Sequence, residues 1–214
     1  MKAKLLAIIQ AILIALVVLS GSIAAPILCR PFYYQHIVPL KLHEAVGLSV
    51  EQVKLAYDQM LDYCIGRTDT LAIGSLPFSD SAAAHFTDVR RLFVLDLRVF
   101  AVGVVLLTAL WLLGRKRTAR LLGHTSGFWS AIGLGVTFLT VGALAASDFD
   151  RAFEVFHGLL FPGKDNWLFD SLEDPVILML PAEFFANCAV AILVLLLMGC
   201  AGLLIQDFLL RRKK

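Results

Sequence analysis

The sequence predicts an all-α membrane protein: four transmembrane helices with a small extracytoplasmic cap. Three observations carry that prediction. Apolar residues make up 59% of the 214 residues, against roughly 45–50% in a soluble domain, and the mean hydropathy is +0.80. Four unbroken apolar runs, at about 5–28, 93–113, 128–146 and 180–205, reach the roughly 20 residues that a helix needs to cross a hydrocarbon layer. Basic residues gather in three of the segments that flank those runs and acids in the other two. In lipid only a helix or a closed barrel satisfies its own backbone, and runs without alternation favour helices. The whole chain, 1–214, reads as a single membrane domain.

The first run follows Lys2 and Lys4 and is longer than an ordinary signal-peptide core of about 7–15 residues, so it reads as an uncleaved anchor. The competing reading is a cleaved leader ending near Ser22-Ile23-Ala24. Arg115, Lys116, Arg117 and Arg120 separate the second and third runs, and Arg211, Arg212, Lys213 and Lys214 follow the fourth. By the positive-inside rule both termini are cytoplasmic and the segments 29–92 and 147–179 form the outer cap. The net charge of +2 is a topology signal. No basic surface interleaved with aromatics points to nucleic acid.

Within the cap, Ser49-x-x-Gln52 is a capping-box signature. Val50, Val53, Tyr57, Met60, Leu61 and Cys64 follow at helical spacing and Gly66 ends the run. A short helical segment is expected from Ser79 or Asp80 through His85 toward the second membrane helix. Another begins after the third membrane helix, with Phe149, Phe153, Phe156 and Leu160 as its apolar stripe and Asp150, Arg151 and Glu154 opposite. Cys29 and Cys64 could form an extracytoplasmic disulfide. The plainer reading of the four scattered cysteines is small apolar residues.

His85 and His157 stand out because each lies a few residues outside an apolar run, on the same predicted side of the membrane. Imidazole, with an unperturbed pKa of about 6.5, suits proton transfer near neutral pH. The plainer reading for each is an interfacial ring with a wet tip. Asp88 at i+3 could orient His85, or could face Arg91 on the helix surface. Arg98 and Glu183 stand in the outer ends of apolar helices and could pair with each other. Tyr57, Tyr63, Phe86, Phe153, Phe156 and Trp167 are candidates for a pocket wall, with an interfacial aromatic belt as the alternative. His36 and His43 are also external, and His124 lies in the basic turn. No histidine falls inside a predicted membrane helix and no metal-ligand spacing occurs, so neither a metal nor another cofactor is called for. No serine-hydrolase elbow or nucleotide loop is present, and the inner halves of the helices lack the polar positions of a transport path.

The chain resembles the bacterial lipoprotein intramolecular transacylases, small four-helix membrane enzymes. The resemblance rests on His85-Phe86-Thr87-Asp88-Val89, on Phe156-His157 with Asn166-Trp167-Leu168-Phe169-Asp170, and on Pro175 with Leu180-Pro181-Ala182-Glu183-Phe184-Phe185. It covers essentially the whole chain, with residues 26–48 matching in general character only. It implies catalysis by His85 and His157 in a bacterial cell membrane. The implied substrate is a diacylated lipoprotein N-terminus, whose sn-2 acyl chain moves to the α-amine of the diacylglyceryl-cysteine to give the lyso form. Membrane lipids are the expected surroundings, and the sequence assigns neither an oligomeric state nor a division of labour between the histidines. Two other readings stay open: an intermolecular membrane acyltransferase, and a non-enzymatic membrane scaffold or metal-binding protein.

Overall fold

Long apolar helices and short amphipathic ones divide this chain, because lipid and water reward different side-chain patterns. A computed structural model describes residues 2–113 and 120–212. Arg115, Lys116 and Arg117, and Lys213 and Lys214 at the C-terminus, lie outside the described residues. The elements in order are α1 (Lys2–Leu28), α2 (Arg30–Ile37), α3 (Leu42–Ala45), α4 (Val50–Cys64), α5 (Asp80–Leu113), β1 (Arg120–Leu121), β2 (His124–Thr125), α6 (Ser126–Ser147), α7 (Phe149–Leu160), α8 (Val176–Met179) and α9 (Ala182–Arg212). Four of them, α1, α5, α6 and α9, are long and apolar enough to cross a membrane.

Two of these helices depart from the lengths that hydropathy alone suggests. The expected short segment near Ser79 is not separate: it is the beginning of α5, which runs unbroken from Asp80 to Leu113. Hydropathy changes near residue 92 while the backbone hydrogen bonding does not. Pro181 delays the last helix to Ala182, since a residue without an N–H belongs at or before a helix start. That helix then continues past Ile205 to Arg212. Pro26 sits inside α1 without ending it.

The chain divides into two units. One comprises Met1–Ala24, Asp96–Leu144 and Val190–Lys214. Its helices approach closely at small residues, the usual packing where lipid removes the hydrophobic drive for helices to associate. A Cβ on Gly103 would stand 2.6 Å from Val17 Cγ2, and one on Gly21 would stand 2.8 Å from the ring of Phe100. Ala131, Leu134, Leu196 and Cys200 form the buried centre of this unit. His124 is more tightly bound than a free charge in a basic turn: its Nδ1 lies 2.9 Å from Asp207, which also accepts from the Thr125 N–H at 2.7 Å. The His124 ring stacks on Phe128 at 3.8 Å.

The second unit comprises Ala25–Leu95 and Ala145–Ala189. Its core gathers Tyr33, Ile37, Leu42, Val53, Tyr57, Leu61, Phe86, Met179 and Phe184. The capping box of α4 forms as the sequence predicts: Gln52 N–H donates to Ser49 Oγ at 3.2 Å, and Ser49 N–H donates to Gln52 Oε1 at 2.8 Å. Tyr33 stacks on Tyr57 at 3.7 Å and donates its hydroxyl to the Met179 carbonyl at 2.9 Å. Arg30 bridges Asp58 and Asp62 at 2.8 and 2.6 Å, tying α2 to α4. All four cysteines are free, so Cys29 and Cys64 are not bonded: Cys29 is exposed and Cys64 buried. Burial pushes the Cys64 thiol up to about 12, which removes the thiolate needed for disulfide exchange at neutral pH.

The glycine packing gives an expected outcome for a pair of substitutions. Gly133→Ala adds a methyl to open space and should stabilise by up to about 1 kcal/mol through helix propensity. Gly103→Ala meets Val17 and carries an overpacking cost of about 1–3 kcal/mol against the same gain. Thermal unfolding in detergent should therefore rank Gly103→Ala below Gly133→Ala, and Val17→Ala should restore the former. Equal stabilities for the two alanine variants would contradict this packing.

Candidate active site

Two capped helix starts place the two histidines. Ser79 caps α5, accepting from the Ala82 N–H at 3.1 Å. Asp174, only 4% exposed, fixes Ser79 by accepting from its N–H at 2.7 Å and its hydroxyl at 3.0 Å. Over the turns that follow, Ala82, His85, Phe86 and Asp88 are all buried. Helix α7 starts at Asp148, whose carboxylate accepts from the Arg151 N–H at 2.9 Å. Its inward side carries Phe149, Phe153 and His157 at i, i+4 and i+8, and only His157 is fully buried. Phe156 and Leu160, the other members of the predicted apolar stripe, are exposed at 55% and 39%.

The ring centroids of His85 and His157 are 6.1 Å apart, and each residue is 8% exposed. Aromatic rings surround them. His157 packs on Phe153 at 4.0 Å, on Trp167 at 4.7 Å in a stacked arrangement, and on Phe156 at 5.5 Å edge-on. His85 meets Phe161 at 5.0 Å, Phe169 at 5.4 Å and Phe86 at 6.0 Å. Of the predicted pocket residues, Phe86, Phe153 and Trp167 therefore gather at the histidines, and Phe156 meets only the edge of the His157 ring from an exposed position. Tyr57 and Tyr63 do not gather there. Tyr57 belongs to the stack with Tyr33, and the Tyr63 hydroxyl is hydrogen-bonded to Thr87 Oγ1 at 2.9 Å. Both hydroxyl-bearing rings serve the core, where their polar ends find partners.

Phe161 and Phe169 were not legible as wall residues. Phe161 ends α7, and Gly163, with φ of +72°, turns the chain back after it. That turn returns Lys164–Phe169 to the histidines, a tertiary event that no periodicity announces.

The two imidazoles differ in their hydrogen bonds. His157 Nδ1 lies 2.8 Å from the Phe153 carbonyl. A carbonyl only accepts, so Nδ1 carries the proton and Nε2 is the basic atom of the neutral ring. Burial holds the His157 pKa below its ordinary 6.5, with the bond to Phe153 opposing. His85 Nδ1 is buried and has no hydrogen-bond partner. Asp88 does not supply one, because its oxygens are engaged by Arg91 at 3.2 Å, Lys164 at 2.5 Å and Asn166 at 3.4 Å. Of the two alternatives for Asp88, facing Arg91 is observed, and orienting His85 through a direct bond is not.

Arg98 and Glu183 are both exposed and form no ion pair among the described residues. Glu183 lies in the first turn of α9, where the helix dipole favours an acid without a partner cation. Among the described residues no group of three or more His, Cys, Asp or Glu could hold a metal ion.

Known proteins share this chain's family and fold. The family model described as "Lipoprotein intramolecular transacylase Lit" matches residues 8–185. The in meso structure of the membrane integral lipoprotein intramolecular transacylase Lit from Bacillus cereus superposes with a TM-score of 0.88 at 26% identity, covering 99% of this chain and 97% of that one. A variant of the same protein with a histidine replaced by alanine superposes at 0.76, with 26% identity over 99% of this chain and 93% of that one. An uncharacterized protein of Aquifex aeolicus (strain VF5) is 29% identical over 112 residues, 52% of this chain and 48% of that protein, so the match spans about half of that relative's length. With a family match over most of its length and a solved member sharing its whole fold, this chain belongs to the lipoprotein intramolecular transacylase family, Lit.

Proposed function

We propose that the protein moves the sn-2 acyl chain of a diacylglyceryl-cysteine to the α-amine of the same cysteine, with His85 and His157 carrying the protons. The observation that carries this reading is the pair itself: two buried imidazoles, 6.1 Å apart, inside an aromatic shell. The basic segments support cytoplasmic termini and an extracytoplasmic site, where the diacylated N-termini of lipoproteins lie.

The reaction needs no protein nucleophile. Nitrogen and ester belong to one molecule, and attack forms an eight-membered cyclic intermediate. Closing such a ring is entropically unfavourable, so holding its ends together is a large part of catalysis. The remaining work is proton transfer. The α-ammonium loses one proton, and His85, whose Nδ1 has no other partner, accepts it. As the C–N bond forms, the attacking nitrogen becomes cationic and must lose a second proton. His157 Nε2 takes that proton and returns it to the sn-2 oxygen as the C–O bond breaks. One proton is released overall, the products being an amide and an alcohol. The fixed tautomer of His157 suits this shuttle, since a base must be neutral and aimed before the step.

The aromatic shell keeps water from the ester, and hydrolysis is the reaction that would compete. Phe153, Phe161, Phe169 and Trp167 supply apolar faces there with little rotamer freedom to lose.

Two outcomes follow from these roles. His85→Ala and His157→Ala should each lower turnover by roughly 10²–10⁴-fold while the protein still unfolds cooperatively. Mass spectrometry of the lipoprotein N-terminal peptide reads the conversion, and full activity in either purified variant would remove the assignment. The second outcome is a pH dependence. Because the folded His157 titrates below the ordinary 6.5, the acid limb of kcat/KM should lie below pH 6.5. The unfolded ring binds its proton more readily, so this group's share of stability is fully present above 6.5 and is lost as pH falls. An acid limb centred above pH 7 would contradict His157 as the neutral shuttle.

A further inference from the structure

The proton-transfer scheme uses the two imidazoles and leaves the cluster around Asp88 without a task. Asp88 lies one turn beyond His85 on α5 and is 8% exposed. A carboxylate so nearly removed from water needs strong partners. Its Oδ2 accepts from Lys164 Nζ at 2.5 Å and from Asn166 Nδ2 at 3.4 Å, and its Oδ1 from Arg91 at 3.2 Å. Asp88 and Lys164 are both within electrostatic range of the His85 ring.

The partners differ in how firmly they are held. The Lys164 side chain is 45% exposed, against 10% for that of Asp88, and Lys164 belongs to the non-helical stretch after Gly163. Its ammonium can therefore move into water, whereas the carboxylate cannot. Asn166 is oriented by chemistry: a carboxylate only accepts, so the amide NH₂ faces Asp88 and the oxygen faces away. That oxygen, Oδ1, is buried and has no donor, and His85 Nδ1 is in the same condition. A buried acceptor left without a donor is costly. The neighbourhood of Asp88 thus contains one carboxylate, one unmatched amide oxygen and one unmatched imidazole nitrogen. The complement of such a set is a cation with several N–H donors, and a primary ammonium, that of Lys164, already binds there.

We propose that Asp88 and Asn166 form the subsite for the substrate's α-ammonium, and that Lys164 is the chain's own occupant, displaced when substrate arrives. This rests on the transacylase reading and names how it selects its substrate. An ammonium that takes the place of Lys164 on Asp88 lies beside Asn166 and within electrostatic range of His85, its proton acceptor. An α-amine has an ordinary pKa of about 8, whereas burial pushes the His85 ring down to about 4, so that transfer is uphill and attack on the ester consumes the free amine as it forms. Transfer of the acyl chain converts the ammonium to a neutral amide. The product then has no charge for Asp88 to hold, and the return of Lys164 favours its release.

The test is equilibrium binding to the full-length protein of two probes that cannot react, because an ether replaces the sn-2 ester. One is a diether-glyceryl cysteinyl peptide with a free α-amine, and the other is its N-acetyl form. The wild type should prefer the free amine by roughly ten- to hundredfold, the worth of a charge-assisted hydrogen bond. Asp88→Asn should abolish the preference. Lys164→Met, at a half-exposed position that folding tolerates, should strengthen binding of the free-amine probe and leave the N-acetyl probe unchanged. Equal binding of the two probes by the wild type, failure of both to bind, or weaker free-amine binding by Lys164→Met would overturn the subsite. Turnover of the matching ester separates the two levels. Turnover with equal probe binding removes the ammonium subsite alone, and no turnover removes the transacylase reading and the subsite with it.

Discussion

The controlling constraint is the desolvation of two imidazoles that are held side by side. A ring in water near neutral pH is partly protonated, free to rotate and able to use either nitrogen. His85 and His157 have lost most of that freedom: each is 8% exposed, and their centroids are 6.1 Å apart. Burial keeps His157 neutral and the Phe153 carbonyl selects its tautomer. The capped helix starts, the Gly163 turn and the ring of phenylalanines all serve this placement. Small errors in it would be felt strongly, because near-attack geometry is worth several kcal/mol of a barrier of this kind.

The same burial sets what the site can do with an acyl ester. Water that reaches the activated carbonyl hydrolyses it, and a wet site would make a lipase of this protein. Aromatic rings are suited to excluding water because they bury large area on two rotatable bonds. They also explain why charge is kept to one side of the site. Arg91, Lys164 and Asn166 all meet Asp88, and none of them is hydrogen-bonded to either imidazole.

Much of this was legible in the sequence, and the parts that were not share a physical reason. The apolar runs and the Ser49–Gln52 capping box follow from local pattern, charge places His85 and His157 on one side of the membrane, and their pairing comes from the family resemblance. The exposure of Phe156 and Leu160 does not follow from pattern, because a stripe of apolar residues shows which face of a helix is apolar and not what covers it. The unbroken α5 was hidden because hydropathy changes along it while helix propensity does not. Tyr57 and Tyr63 looked like wall residues by type, yet both are held in the core through their hydroxyl or ring contacts. Lys164, Asn166 and Phe169 reach the site through a left-handed glycine, and no periodicity links them to a histidine far earlier in the chain. Helix α2 was not predicted, although Pro31 in its first turn is a residue that suits a helix start.

The central claim is that both reacting groups belong to one substrate molecule, placed by two histidines. Mixing two substrate populations tests it most directly, one with isotopically heavy acyl chains and the other with a heavy peptide. Mass spectrometry of the products after turnover by the purified protein should find every amide carrying the acyl chain of its own molecule. Products that combine the heavy chain with the heavy peptide, in proportion to the mixture, would show transfer between molecules and contradict the account.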